Sequence, residues 1–148
     1  MASEMYMTFE DLSSIAEELN ITTYFWHLRN KKAFSFNDGA NGVIVIDTSG
    51  LESEREKKKI YSEELGHCTT KAFYPFQYCA EPLKRSNIEK AEYKAQEASY
   101  IFQIPFLELR EAIKKSSCDY EVAELLDVDM ETLYGAVNYY QRKGLLPL

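Results

Sequence analysis

The stretch Glu63-Glu64-Leu65-Gly66-His67 places two carboxylates and an imidazole within five residues. On a helical wheel that starts at Glu63, His67 falls at about 40° and Glu64 at about 100°, so the three polar groups share one side of a helix. Burying adjacent carboxylates costs several kcal/mol unless they are paired or bound to a metal. The stretch therefore predicts one of two arrangements. Either the glutamates reach the rim and pair with lysines around a core histidine, or Glu63 and His67 point at one cation.

The rest of this helix gives two further expectations. Gly66 costs about 1 kcal/mol relative to alanine inside a helix, which predicts that another backbone approaches closely there. The arc opposite the carboxylates is polar and predicts a plain solvent face, made of Arg55, Lys58, Lys59, Ser62, Thr69 and Thr70.

A second helix supplies a candidate third ligand, because a catalytic zinc keeps three protein ligands and one open position. Glu92 lies at the edge of a stripe of mostly small residues, which lets two helices pack closely. An ordinary salt bridge at the flank of the helix is the alternative for Glu92. His27, the only other histidine, stands at a strand-like position, where a packed or surface histidine is more common than a functional one.

The order of the elements predicts an α+β fold, with one helix, then strands, then helices. A capping box at Thr8 begins the first helix, and Asn20 can close it. The strands read as a small, mostly antiparallel sheet, and residues 71–86 read as a loop before a helix capped by Asn87. The predicted strands lie within 21–27, 33–36 and 42–47, and the later helices span 53–70, 88–102, 107–116, 120–126 and 130–142.

Composition limits the function classes. The chain has 148 residues and a net charge of −7, which disfavours non-specific binding to nucleic acid or anionic lipid. Its three cysteines, Cys68, Cys79 and Cys118, are an odd number without metal-ligand spacing and indicate reduced thiols. No stretch approaches the length of about 20 apolar residues that spans a bilayer, so we expect a cytoplasmic protein.

Three motifs in this order resemble the ImmA/IrrE family of metallopeptidases of phages and other mobile elements. The strand at 42–47 matches the family strand before the active-site helix, and residues 63–67 stand where the family has His-Glu-Leu-Gly-His. Glu92-Tyr93-Lys94-Ala95, followed by Ile104-Pro105, matches a Glu-x-x-Ala stretch that ends in an apolar-Pro pair. The resemblance covers most of the chain and implies a zincin-like helix pair packed on the sheet.

The resemblance also implies roles for individual residues. His67 and Glu92 would be zinc ligands, and Glu64 would be the general base that activates water. The chain departs from the family at Glu63, which replaces the first histidine ligand. A carboxylate oxygen binds zinc at roughly 2.0–2.2 Å, so a Glu63/His67/Glu92 site is possible, and Mn²⁺ becomes a second candidate ion.

The family further implies a narrow-specificity endopeptidase whose substrate is a DNA-binding repressor encoded nearby. Two alternatives remain open: a catalytically inactive antirepressor that only binds its repressor, and a helix-turn-helix DNA-binding regulator. The predicted helix 130–142 has no basic side chain before Arg142, which argues against base or phosphate reading. We predict a peptidase domain at 1–106 and a partner-docking helical extension at 107–148, which together form one structural unit.

Overall fold

The described residues form a layer of helices against a small sheet, with the sheet strands inserted after the first helix. The computed structural model describes residues 6–51, 53–71 and 85–147, the side chains of 85–88 excepted. No helix in these ranges is both long and apolar enough to cross a membrane. The elements are α1 (Phe9–Glu18), β1 (Thr22–Phe25), β2 (Ala33–Asn37), β3 (Gly42–Ile46), α2 (Glu54–Thr70), α3 (Arg85–Gln103), α4 (Phe106–Lys115), α5 (Asp119–Leu126) and α6 (Met130–Arg142).

The predicted α+β class is confirmed, but the sheet is mixed and not mostly antiparallel. Its strand order is β1-β3-β2, with β2 antiparallel to β3 and β1 parallel to β3. From β1 the chain crosses to the far edge, forms β2, and returns through a turn at Gly39 to place β3 in the centre. Gly39 has a φ of 103°, a conformation that glycine adopts without steric cost. The parallel pairing of β1 with β3 depends on this order of the strands in the sheet. The alternation of hydrophobic residues along one strand does not encode that order.

Capping signals in the sequence predicted the ends of α1 correctly but not the start of α3. The Thr8 hydroxyl accepts a hydrogen bond from the Asp11 N–H at 3.1 Å, and the Asp11 carboxylate accepts from the Thr8 N–H at 2.9 Å. Asn20 follows α1 in the left-handed conformation, with a φ of 60°. The prediction that Asn87 caps α3 is wrong, because the helix already begins at Arg85. Most of the predicted loop, residues 72–84 with Cys79, lies outside the described residues.

Two groups of buried apolar side chains hold the chain together. One lies between α1, the sheet and α2, and includes Leu12, Ile44 and Leu65. The other lies among α4, α5 and α6 and already includes Ile104, which precedes the predicted boundary at residue 106. The helical extension thus shares its core with the end of α3, and the division at 106/107 stays a prediction.

The polar arc of α2 is covered by the connection between α5 and α6, so the prediction of a plain solvent face is wrong. Lys58 is only 1 % exposed and its Nζ donates a hydrogen bond to the Leu126 carbonyl at 2.9 Å. Arg55 Nε donates to Asp127 at 3.1 Å, and Lys59 pairs with Asp129 at 2.9 Å. Ser62 is fully buried as well, whereas Thr69 and Thr70 are exposed as expected.

This arrangement explains why the helical wheel assigned buried polar residues of α2 to the solvent face. A buried ammonium is tolerated only when hydrogen bonds and opposite charges replace its water shell. The α5–α6 connection supplies a helix-end carbonyl and two carboxylates, whose partial and full negative charges face α2. Asp127 and Asp129 therefore help to attach the extension to the helix that carries the candidate site.

We expect Lys58→Met to remove a rise in stability that the wild type shows between about pH 8 and pH 10.5. Burial lowers the pKa of Lys58 from 10.5 to about 8, although Asp127 and Glu108 act in the opposite direction. In this window the unfolded chain binds more protons than the folded chain, so stability increases with pH. The rise should be up to about 3 kcal/mol, at 1.36 kcal/mol for each pKa unit.

Urea unfolding of both proteins at pH 7, 8, 9 and 10 measures this difference. Lys57→Met is the matched control, because Lys57 is the neighbouring lysine and pairs with Glu54 on the same helix. Lys57→Met should keep the wild-type pH dependence. Parallel pH profiles for the wild type and Lys58→Met would contradict the assignment.

Candidate functional site

The two site helices touch at Gly66, as the sequence predicted. A Cβ atom at Gly66 would lie 2.2 Å from the Ala95 carbonyl oxygen and 3.0 Å from its carbonyl carbon. Ala95 is 1 % exposed and Ser99, one turn later, is fully buried. The absence of a side chain on α2 and the small residues on α3 therefore let the backbones meet. This contact places the side chains that flank it on α2 and α3 at short distances from one another.

His67 and Glu92 face each other across this helix pair. The distance between His67 Nε2 and Glu92 Oε1 is 3.5 Å. His67 is 8 % exposed, whereas the Glu92 side chain is about half exposed, at 54 %. The imidazole is thus fixed in the protein interior, and the carboxylate closes the site from the solvent side.

Glu64 points to the sheet side of α2, where a residue of β2 holds it. The Ser35 hydroxyl donates a hydrogen bond to Glu64 Oε1 at 2.7 Å. Burial raises the pKa of Glu64, and the Ser35 hydrogen bond and the charge of His67 partly oppose this effect. A carboxyl group with a raised pKa and one anchored oxygen has the features that general bases in enzymes share.

Ser35 is a site residue that sequence reasoning missed. It is the polar residue on the inner side of β2, in the sequence Ala33-Phe34-Ser35-Phe36, where Ala33 packs in the core beside α2. A hydroxyl at a core-facing strand position usually has a buried partner. That signal could have indicated a polar group opposite, but it could not have selected Glu64.

Glu63 is also partly buried, and burial raises the pKa of its carboxyl group. The ammonium of Lys59 lowers this pKa, while the charges of Glu64 and Glu92 raise it. Lys59 itself is held by Asp129 of the C-terminal extension. Glu63 thus lies between the acidic site and a lysine that is already paired. The lysine near Glu63 matches one element of the first arrangement, and the prediction that Glu63 and His67 point at one cation stays a prediction.

The donor set fits a metal ion in part. Two ligand atoms at about 2.1 Å from a tetrahedral metal lie about 3.4 Å apart. The separation of 3.5 Å between His67 Nε2 and Glu92 Oε1 is close to that value, and imidazole with carboxylate is a common zinc pair. Within the ranges that the structure describes, no three His, Cys, Asp or Glu side chains converge closely enough to hold an ion. Glu63 as a third ligand stays a prediction.

The structure also shows the surroundings of His27 and Cys68, two further residues that the sequence singled out. The His27 side chain is 84 % exposed, and its Nδ1 lies 3.3 Å from Asp47, which matches a surface histidine. Hydrogen bonds from Ser49 and from the Leu28 N–H lower the pKa of Asp47 to about 2. Cys68 is a buried free thiol whose pKa burial raises to about 12, so it is a poor nucleophile.

Comparison of the chain with protein-family models, with curated proteins and with solved structures finds no match in any of the three.

Proposed function

We propose that the chain is a metal-dependent endopeptidase in which His67 and Glu92 hold the ion and Glu64 moves the proton. The contact between His67 and Glu92 carries this proposal, because the two side chains come from different helices and are spaced as two ligands of one ion. The resemblance of residues 42–47, 63–67 and 92–105 to ImmA/IrrE peptidases supports the same site. The close helix contact at Gly66 supports it further, since it fixes both ligands.

The surroundings of Glu64 support its proposed catalytic role. Ser35 occupies Oε1, which leaves Oε2 to take a proton from the attacking water. The water oxygen bonds to the peptide carbonyl carbon, the C–N bond breaks, and Glu64 returns the proton to the leaving amine nitrogen. A bound zinc or manganese ion would polarise the carbonyl group and lower the pKa of water. As a third ligand, Glu63 would make the site more anionic than a two-histidine site, which would reduce the preference for zinc over manganese.

Substrate and location are part of the proposal and rest on the resemblance. It implies a cytoplasmic enzyme that cleaves a helix-turn-helix repressor of a phage or integrative element. Direct binding of the chain to DNA is not proposed, because the start of α6 is acidic and already contacts α2. Lys59 of α2 pairs with Asp129 and lies 3.9 Å from Glu131 at that end of the helix.

One observation favours a second candidate, an inactive antirepressor that binds its repressor without cleaving it. The described residues assemble two metal donors and not three, and the first histidine of the family motif is Glu63. A protein of this kind would keep the fold and the repressor-binding surface. It would take up no metal.

We expect wild-type protein purified with added zinc or manganese to contain about one ion per chain. His67→Ala and Glu92→Ala should lose this ion, with a larger affinity loss than the roughly 10–100-fold caused by outer-shell changes. Elemental analysis gives the stoichiometry, and thermal unfolding with and without metal gives the linked stability. An ion at 100 times its Kd should add about 2.7 kcal/mol.

Glu97→Ala is the matched control for metal uptake, because Glu97 lies on the same helix and pairs with Arg142. It should bind metal as the wild type does. A folded wild type that takes up neither zinc nor manganese would eliminate the peptidase and favour the antirepressor. Equal metal content in wild type and Glu92→Ala would show that the ion is bound elsewhere.

A further inference from the structure

A cleft of about 530 Å³ lies between α1 and the edge strand β1. Ser13 and Glu17 line it from α1, and Thr23 and Phe25 line it from β1. The Oγ1 atom of Thr23 lies 2.6 Å from the hydroxyl oxygen of Tyr61 on α2, so the cleft is on the face of the sheet that meets the helices. None of its described lining residues belongs to the candidate metal site. Its volume is within the range of about 300–1,000 Å³ that small-molecule sites have.

The side chains around this cleft are accessible to solvent. Glu17, Asn20 and Asn41 line it and are exposed, and Phe25 beside them is 58 % exposed. Within the described ranges, the side chains of Glu17, Asn20 and Asn41 form no hydrogen bond and no ion pair. Their carboxylate and amide groups are therefore available to a ligand.

Two hydroxyl groups of the cleft are held by a buried tyrosine. Tyr61 is fully buried, and its hydroxyl interacts with those of Thr23 and Ser13. Burial raises the pKa of Tyr61, so its hydroxyl stays neutral at physiological pH. Each hydroxyl has one donor and two acceptor positions, so the contacts among these three leave acceptor positions for the N–H donors of a ligand.

The electrostatic potential of the cleft is negative. Among the residues that the structure describes, Glu17 is the only charged one that lines it. The charge of Glu17 acts on the Tyr61 hydroxyl, where it raises the pKa in addition to the effect of burial. The cleft also lies at the C-terminal end of α1, whose last turn has no basic residue, so the negative end of the helix dipole adds to this field. The cleft therefore disfavours anions and attracts cations.

Phe25 adds an aromatic surface to this negative cleft. Its ring packs edge-to-face against Phe9, with the ring centroids 6.3 Å apart. An organic cation is attracted to the face of an aromatic ring, and its apolar groups are removed from water there. A Mg²⁺ or Ca²⁺ ion surrounds itself with oxygen ligands and makes little use of such a ring. The combination of one carboxylate and one exposed ring therefore matches an organic cation better than a metal ion.

We propose that the cleft between α1 and β1 binds a small organic cation, with a primary ammonium or guanidinium group on a short apolar chain. Glu17 pairs with the charged group, and the amide oxygens of Asn20 and Asn41 accept further hydrogen bonds from it. The apolar chain packs against the Phe25 ring. This inference is independent of the proposed peptidase activity, because it uses other residues and needs no metal ion.

The test is an NMR titration of the full chain, isotope-labelled and without metal, with putrescine and with agmatine at low ionic strength. Both cations should shift the backbone amide signals of Thr22, Thr23 and Phe25, which line the cleft. The diol of the same length as putrescine, in which a hydroxyl replaces each ammonium group, should bind at least about tenfold more weakly. Added salt should weaken the binding of putrescine and leave that of the diol unchanged.

Protein variants locate the binding groups. Glu17→Gln should weaken putrescine binding about tenfold at low salt, whereas Glu18→Gln, the neighbouring exposed carboxylate on α1, should change it about twofold or less. Phe25→Leu should weaken binding about two- to fivefold through the loss of the aromatic ring. Trp26→Leu is its matched control, because alternate residues of a strand point to opposite faces, and it should bind as the wild type does. Glu17→Gln changes an exposed side chain and keeps the test valid if Phe25→Leu fails to fold.

Equal affinity for putrescine and the diol would overturn the inference, because charge would then not select the ligand. Tighter binding of glucose than of either cation would also overturn it and would identify a saccharide site. The same holds if neither cation shifts the signals of the cleft, or if only signals elsewhere in the chain move. The proposed peptidase is tested separately by metal uptake at His67 and Glu92, so the failure of one proposal is distinguishable from the failure of the other.

Discussion

Gly66→Ala should lower the free energy of unfolding by about 3 kcal/mol or more, at the upper end of the cost of overpacking a core. The new methyl group would lie 2.2 Å from the Ala95 carbonyl oxygen, which is far below any contact that two such atoms make. The obstacle is backbone and cannot rotate away as a side chain could. The helices must separate, and this also pulls His67 away from Glu92.

Thermal unfolding checks this expectation, because 1 kcal/mol corresponds to about 2–4 °C in a chain of this size. The variant should therefore melt at least about 6 °C below the wild type and should lose metal uptake together with stability. Gly50→Ala is the matched control, since a Cβ atom at Gly50 meets nothing within 4 Å. If Gly66→Ala melts with the wild type, the close contact of α2 with α3 is wrong.

Glu64→Gln should reduce the cleavage rate by about 10²–10⁴-fold, the usual contribution of a general base. Glutamine keeps the shape of the side chain and the acceptor for the Ser35 hydroxyl, but it cannot take a proton. Metal uptake should therefore persist while cleavage of the proposed repressor substrate is lost. Unchanged cleavage would rule out Glu64 as the base.

The same substitution should stabilise the metal-free protein at neutral pH. Burial raises the pKa of Glu64, so the folded chain holds its proton to higher pH than the unfolded chain does. Stability is therefore lost as pH rises from 4.5 through the raised pKa, and glutamine lacks this loss. We expect the metal-free variant to melt above the wild type at pH 7.

Melting curves at pH 4, 5, 6 and 7 test the sign of this effect. The advantage of Glu64→Gln should grow with pH in the metal-free protein and shrink when metal is added. Glu121→Gln is the control, because hydrogen bonds from Ser117 lower the pKa of this exposed glutamate, so no gain should appear. A carboxylate that weakens the fold is consistent with the proposed catalytic role, because residues kept for function often lower stability.

The sequence by itself determined the features that depend on residues a few positions apart along the chain. The capping box at Thr8 and the ends of α6 follow from caps and apolar spacing within a few residues. The same holds for the placement of Glu64 and His67 on one side of α2, because helical geometry fixes the angles between them. Gly66 even indicated the close helix contact, since a glycine in a helix needs a packing reason.

Only the tertiary structure decided the features that join distant parts of the chain. It set β3 between β1 and β2, buried Lys58 under the α5–α6 connection, and brought Ser35 to Glu64. Each of these pairings joins residues that are separated by many positions, and their choice depends on how whole elements pack. A polar residue such as Lys58 reads as solvent-facing until a carbonyl and carboxylates from elsewhere replace its water.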